Sequence, residues 1–512
     1  MKYPVGIQNF EKIRKEDYVY VDKTALIWQL VNSGCYYFLS RPRRFGKSLL
    51  LSTIAAWFQG KKELFDGLAI MEQASEYPEA HPVLRLDLGG QEYTDDQSLR
   101  AVLDARLNDW EALYGKREDE IGAALRFGGI IRRACEQTGR QVVILIDEYD
   151  KPLLETIGNE PLREAYRSTL RGVYGNLKVY DAYIKFAMLT GVTKFSKLSI
   201  FSDLNNLDDI SMVPRYATLC GITEQELETY FAPGIEELAQ CSGISLAEAR
   251  KQLKRRYDGY LFEEHAERVY NPFSLLSALN NRKFMDYWFG TGTPTFLVKL
   301  MVRENVILEN LNDVPVRSSK LNTLDSLAGN PLPILYQSGY LTIDHIDDLD
   351  YYYLRFPNEE VERAFLQELL PRYTGRNDSE ALLSYLVRAI RMGEPESFLR
   401  QLEALLADIP YEHSPLEAYF RNLLFIIFRL VGFFCEVEHP VAGGRSDVVI
   451  KTDKYIYVLE LKVDQSVAAA LQQIEEKGYT VPYVADPRKL FKLGVNFSTK
   501  TKRIDGWKVV ET

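Results

Sequence analysis

Cysteine, histidine and long apolar runs are scarce in this 512-residue chain. The five cysteines (Cys35, Cys135, Cys220, Cys241, Cys435) are scattered, odd in number and never in C-x-x-C spacing. That argues against a zinc site or a disulfide framework and for a reducing cytoplasm. The five histidines are as dispersed, which argues against a His-based metal site. No apolar run reaches the roughly 18 residues that span a bilayer, so no membrane partner is expected. The nearest, Leu423 to Phe434, contains Arg429 and reads as a buried helix running into a strand. The opening "MKYPVGIQNFEKIRKEDY" has no apolar segment of the kind a secretory signal needs. Internal repeats and low-complexity tracts are also missing. A net charge of −10 offers nucleic acid no global attraction.

The rest of the composition, 46% apolar and 26% charged, is that of an ordinary globular protein, and the length implies two to four domains. Positive charge is local. Residues 41–47 hold three Arg and one Lys, and residues 486–512 carry seven Lys or Arg against three acids. A phosphate-bearing partner would be met at such patches; the C-terminal one reads equally well as solvated surface charge.

Along the chain, "YVYV" reads as a short strand. A helix follows, with Thr24 a plausible N-cap and Gly34 a plausible end. "CYYFLS" reads as a buried strand and "LLLSTIAAWF" as a helix. "PVLRLDL" (82–88), "QVVILIDEYD" (141–150) and "YIKFAMLTG" (183–191) are further strands, with 97–138 helical between them. Strands separated by helices imply a parallel α/β sheet. Beyond about residue 222, Thr223-x-x-Glu226 and Ser245-x-x-Glu248 open helices. "ILYQSGYLTIDHIDDLDYYYLRFPN" reads as a helix and a hairpin turning at "DDLD", a winged-helix-like element that binds DNA in some proteins and only packs in others. From about residue 375 two helices reach Ala407, and Ser414-Pro415 starts another. Strands are expected at 433–440, 446–451, 455–462, 490–498 and 507–511, with a helix at 465–478.

Two constellations carry chemistry. In "SRPRRFGKSLL" the triplet Gly46-Lys47-Ser48 is the second half of the G-x-x-x-x-G-K-[ST] phosphate-binding loop, with Arg41 where the first glycine belongs. The triplet alone is a weak signal. The strand before it, the helix after it and the acids Asp147-Glu148 ending a later strand strengthen it. Helix-terminal N–H groups receive phosphate oxygens, and Lys47 meets the β and γ positions. Ser48 and Asp147 can hold Mg²⁺, Glu148 can polarise a water, and Thr190 can sense the γ-phosphate. Asp147 and Glu148 can also be plain helix-start acids, and Thr190 a plain strand end. The stretches "YVYVDKT", "FLSRPRRFGKSLLLST", "VVILIDEYDKPL", "MLTGVTKFSKLSIFSDLNNLDDI" and "YDGYLFEEHAERVYNPFSLL" resemble the bacterial AAA-ATPase-like family over about residues 4–280. The resemblance implies a P-loop in which "RPRRF" is the usual form. Its nucleotide cradle would be Arg43, Arg44, Phe45, Gly46, Lys47, Ser48 and Leu49, with Asp147 and Thr190. Arg43 and Arg44 either add charge near the triphosphate or face solvent.

The second constellation is "GGRSDVVIKTDKYIYVLELKV". Glu460 and Lys462 share one strand face, and a hairpin across "KTDK" brings Asp447 beside Glu460. Two carboxylates suit a hard cation such as Mg²⁺, and Lys462 can orient a water for attack on a phosphodiester. A structural Glu460–Lys462 ion pair is the other reading. The stretch resembles the PD-(D/E)xK nuclease superfamily over about residues 411–512. That resemblance implies Asp447, Glu460 and Lys462 as the catalytic set, with Gln473 turned to the site. Glu417 holds the place of an acid on the first helix, or completes a capping box with Ser414.

The expectation is therefore an α/β protein: a P-loop parallel sheet (1–222), a mainly helical lid and winged-helix-like region (223–374), and a restriction-endonuclease-like α/β domain (375–512). Its partners would be ATP, Mg²⁺ and nucleic acid, with the choice of DNA or RNA and the oligomeric state open. Metal-dependent cleavage gated by nucleotide is the leading function. A nucleotide-controlled switch with a non-cleaving, nuclease-like binding module, or a nuclease using ATP only structurally, are the alternatives.

Overall fold

The computed structural model describes residues 1–74, 77, 79–194, 206–288, 301, 308, 311, 314–321, 331–406, 416–438, 447–501 and 503–512. The chain divides into two compact units, Met1–Thr291 with Pro315–Val361, and Gly292–Val314 with Glu362–Thr512.

In the first unit five strands form one sheet: β1 (Tyr36–Ser40), β2 (Val83–Asp87), β3 (Val142–Asp147), β4 (Ile184–Gly191) and β5 (Asp208–Asp209). Their order is β2-β3-β4-β1-β5 and every pairing is parallel. β1 and β3 are buried at every position, because a parallel sheet covered on both faces reads as an apolar run rather than as alternation. The helix Lys47–Phe58 follows β1 after a six-residue loop, Arg41–Gly46. The helical stretch expected at 97–138 is two helices, Asp96–Tyr114 and Ala123–Thr138; between them Gly115 (φ 86°) and Gly122 (φ 83°) adopt conformations a helix cannot continue through.

"YVYV" is not a strand. Val19 N–H donates to Lys2 O (2.9 Å), and the segment joins no sheet. Thr24 is not an N-cap but the first residue of the helix Thr24–Ser33. Its N–H and hydroxyl both donate to Asp22 Oδ1 (2.8 and 2.6 Å), and Gly34 leaves the helix extended (φ −171°) rather than left-handed.

The helical part behaves as its caps require. Thr223 and Glu226 form a complete capping box at Glu224–Ser242, and Ser245 caps Leu246–Tyr257. Leu227, Phe231, Leu253, Tyr257 and Leu275 form its core. The helix Leu332–Ser338 precedes β7 (Thr342–Ile346) and β8 (Tyr351–Arg355), which turn at 347–350; β6 (Val316–Arg317) pairs β8 to complete a three-stranded wing.

The second unit holds the helices Ser379–Met392, Pro395–Leu405 and Leu416–Gly432 and a second five-stranded sheet. Its strands are β9 (Glu436–Glu438), β10 (Asp447–Lys451), β11 (Tyr455–Val463), β12 (Lys489–Ser498) and β13 (Arg503–Glu511), in the order β13-β12-β11-β10-β9. Only β11 and β12 run parallel; the helix Val467–Glu476 connects them and packs on β12, where a Cβ at Gly494 would stand 2.8 Å from Leu471. Residues 195–205, Ser414-Pro415 and the 439–446 part of the expected strands lie outside the described residues. The α/β class expected from the sequence is what the structure shows. No helix among the described residues is long and apolar enough to cross a membrane.

Candidate functional site

β4 lies between β1 and β3, so the C-terminal ends of all three strands meet at one edge of the sheet. Gly46 (φ 89°) makes the left-handed turn into the helix Lys47–Phe58, which turns the helix's first N–H groups toward that edge. Lys47 is buried; its ammonium donates to Arg41 O (2.9 Å) and Pro42 O (3.0 Å), carbonyls of its own loop. Burial lowers its pKa, while the charges of Asp147, Glu148 and Asp150 act to raise it. A lysine held there on weak neutral acceptors is suited to exchange them for an anion.

Asp147 ends β3. Its Oδ1 accepts the Thr190 hydroxyl from β4 (2.6 Å), which fixes the carboxylate at the β1 side. Thr190 is fully buried, so the structure places it on Asp147. Glu148 adopts φ 50°, uncommon for a residue with a Cβ, and its carboxylate sits so close to Gly89 that a Cβ there would lie 2.6 Å from Oε2. Burial raises its pKa and Lys47 lowers it. Ser48, partly buried, follows Lys47 at the start of the helix.

Several contributors escaped the sequence reading. Arg41 is no spare cation. It is 1% exposed, and its guanidinium donates to Ser40 O (2.9 Å), Ser211 O (2.7 Å), Tyr216 O (3.1 Å) and Ala217 O (3.4 Å) while stacking on Phe262 at 4.0 Å. Where a glycine would leave the loop entrance loose, this side chain ties it to the 211–217 segment. Asp150 ties β3 to β4: its carboxylate accepts from Val192 N (3.0 Å), Thr193 N (2.6 Å) and Thr193 Oγ1 (2.6 Å), and burial raises its pKa. The third acid in "DEYD" was the available signal. An apolar cavity of about 100 Å³ opens beside Gly46, lined by Val19, Val21, Ile27, Leu49, Cys220 and Leu276 among others. No motif marks it, because its wall is assembled from distant segments.

The remaining loop residues separate. Phe45 is buried edge-on against Tyr260 (4.7 Å) and Phe262 (5.4 Å), and Arg43 is exposed. Arg44 is partly buried in a left-handed conformation (φ 67°) and stacks on Phe273 at 3.6 Å, so it does not simply face solvent.

In the second unit Asp447 lies directly opposite Glu460 in the β10–β11 register. The side chains of Asp447 and Glu417 lie outside the described residues. Glu460 is 1% exposed, and its Oε1 is 3.0 Å from Lys462 Nζ, which also donates to Gln473 Oε1 on the helix Val467–Glu476. Glu460, Lys462 and Gln473 are thus brought together on one face. Three of the seven basic residues of the C-terminal stretch are paired: Arg488 with Asp486 (2.7 Å), Lys489 with Glu511 (2.8 Å) and Lys492 with Glu475 (2.6 Å). Among the described residues the one close cluster of potential metal ligands is Glu263, Glu264 and His265, consecutive and mostly exposed.

Residues 4–201 match the family described as predicted AAA-ATPase, and residues 416–507 match the PD-(D/E)XK nuclease superfamily. A protein of Azotobacter chroococcum mcd 1, described as an uncharacterized protein in the vnfD 5′ region, is 37% identical over 524 residues, covering 100% of this chain and 99% of its own. Among solved structures, the ORC2 protein of Aeropyrum pernix, in ADPNP and ADP complexes, is 10% identical with a TM-score of 0.22, over 68% of this chain and 92% of that one.

Proposed function

The chain belongs to the predicted AAA-ATPase family and carries a C-terminal PD-(D/E)XK nuclease superfamily domain, and from that premise we propose that it binds and hydrolyses ATP and cuts nucleic acid in a metal-dependent reaction that nucleotide state gates. The observation that carries the ATPase reading is the convergence of Lys47, Asp147, Thr190 and Glu148 at the ends of three adjacent strands, beside an apolar cavity suited to a base. The phosphates would lie over the N–H groups after Gly46, where Lys47 exchanges its two carbonyl acceptors for phosphate oxygens. Oxygen donors fit Mg²⁺ here: Ser48 and Asp147 would hold it, and when bound it would offset phosphate charge. Asp147 is kept oriented by Thr190, and Glu148, poised by burial to take a proton, would orient the attacking water.

In the second unit Asp447 stands opposite Glu460 in the strand register, and two carboxylates at such positions would suit a hard divalent cation. Such an ion would supply charge stabilisation for phosphodiester cleavage. Lys462, oriented by Gln473, would bring an ammonium beside the attacking water. A second reading has support from the same place: the Glu460–Lys462 ion pair is also what a non-cleaving binding module would keep as a structural pair. In this account residues 1–222 carry ATP, 223–374 the lid and wing, and 375–512 the nuclease-like domain. The test is direct: purified protein with Mg²⁺ and assorted DNA and RNA, with and without ATP. Cleavage that Glu460→Ala abolishes supports the nuclease; binding without cleavage, unchanged by Lys462→Ala, supports the module.

A further inference from the structure

The loop that leaves β2 opens with two adjacent glycines, Gly89 and Gly90, at the edge where β3 ends: Leu88 N–H donates to Asp147 O (3.1 Å). Neither glycine holds the left-handed backbone that disfavours a Cβ. Their surroundings differ. A Cβ at Gly90 would meet nothing within 4 Å. One at Gly89 would stand 2.6 Å from Glu148 Oε2, 2.8 Å from Glu148 Cδ and 3.0 Å from Asp87 Oδ1. Space, not backbone shape, therefore demands glycine at 89. The carboxylate of Glu148 fills the place a side chain would take.

The loop is held where it is. Gly89 N–H donates to Asp87 Oδ1 (2.7 Å), and the Lys151 ammonium donates to Gly89 O. Tyr93 is buried; its hydroxyl donates to Leu88 O (2.9 Å) and its N–H to Glu155 Oε2 (2.9 Å). Lys151 and Glu155 are the two ends of the short helix Lys151–Glu155, which begins three residues after Glu148. The segment that carries Glu148 thus also grips the loop that seats it. Asp87 puts a second carboxylate at the same spot, and like charges resist closer approach.

We propose that Gly89 is a positioning residue for Glu148: its missing side chain, in a loop clamped by Lys151 and Glu155, fixes where the water-orienting carboxylate lies. The proposal rests on the reading of Glu148 in the ATP site and adds to it a residue that makes no contact of its own with the reacting atoms. In Gly89→Ala the flexible end of Glu148 yields before the clamped backbone does, and restoring ordinary contact moves the carboxylate by about 1 Å. A misplacement of that size costs up to about a hundredfold in rate. Phosphate binding uses Lys47 and the N–H groups after Gly46, and so is spared.

The experiment compares the full-length wild type, Gly89→Ala, Gly90→Ala, Glu148→Gln and the double variant Gly89→Ala/Glu148→Gln. Equilibrium binding of a fluorescent ATP analogue and phosphate release from Mg-ATP are measured for each. Gly89→Ala is expected to bind as wild type does and to lose at least about tenfold in kcat. Gly90→Ala, equally compatible with its backbone but free of any clash, is expected to match wild type in both. In the Glu148→Gln background, Gly89→Ala should change the residual turnover less than about twofold, because the group it displaces no longer contributes. Wild-type kcat in Gly89→Ala, equal losses in the two glycine variants, or an undiminished loss in the double variant overturns the proposal. Loss of binding together with turnover in Gly89→Ala also overturns it, since the glycine would then be structural. The two claims fail separately: wild-type turnover in Glu148→Gln sinks the reading of Glu148 itself, whereas a slow Glu148→Gln beside an unimpaired Gly89→Ala sinks only the role of Gly89.

Discussion

Arg41 occupies the position where the phosphate-binding pattern has glycine, which makes Arg41→Gly an informative substitution: it restores the usual motif and removes a brace. The guanidinium makes four contacts to main-chain carbonyls, at 2.7, 2.9, 3.1 and 3.4 Å. The two shorter ones are ordinary charge-assisted bonds, each about 1.5–3 kcal/mol, and the two longer ones contribute less. Added flexibility from glycine costs roughly another 1 kcal/mol. Against this, the charge is buried with no carboxylate bonded to it, and burial lowers its pKa, so its removal recovers part of the desolvation cost. The net expectation is a loss of about 3–4 kcal/mol. At roughly 2 °C per kcal/mol for a unit of this size, the transition shifts down by about 6–8 °C. Scanning calorimetry of the full chain reads it, the relevant transition being the one that saturating nucleotide moves upward. ATP affinity should fall, since the loop loses its tie to the 211–217 segment. An unchanged Tm with tighter ATP binding in Arg41→Gly would show that Arg41 merely fills the glycine position.

Three further outcomes are expected. Asp150→Ala leaves the buried N–H groups of Val192 and Thr193 unpaired and should cost about 2–4 kcal/mol, read in the same calorimetric transition, whereas Asp150→Asn should cost less. Gln473→Ala frees the ammonium of Lys462 from its amide partner and should lower any cleavage rate about tenfold without altering ATP turnover; loss of both activities would point to a folding defect. Cleavage rates at fixed Mg²⁺ should differ between ATP, ADP and no nucleotide, and Lys47→Ala should erase the difference; identical rates in all three would leave two independent activities on one chain.

The sheet of the first unit was legible because its strands are buried on both faces, so "CYYFLS" and "QVVILIDEYD" carry runs too apolar to read otherwise. "YVYV" misled for the same reason: it is apolar because Val19 and Val21 line the cavity beside Gly46, not because they pair with a sheet. The candidate acids and lysines were legible where they end a strand or share its face, as Asp147, Glu460 and Lys462 do. The brace from Arg41 to the 211–217 segment and the tie from Asp150 depend on contacts across 42 to 176 residues of sequence, a range that periodicity does not reach. In sequence Arg44 reads as a phosphate-facing or solvent-facing cation, and its stacking on Phe273 is an arrangement that only the fold supplies.

The central claim, that the edge formed by β1, β3 and β4 is an ATP-hydrolysing site, is tested by measuring binding and turnover separately in two variants. Equilibrium binding of a fluorescent ATP analogue and release of phosphate from Mg-ATP would be followed for wild type, Lys47→Ala and Glu148→Gln. Lys47→Ala should lose binding because the charge that meets the β and γ phosphates is gone. Glu148→Gln should bind as wild type does and release phosphate at least about a hundredfold more slowly, since binding does not need the water-orienting carboxylate. Wild-type turnover in Glu148→Gln, or unimpaired nucleotide binding in Lys47→Ala, would contradict the account.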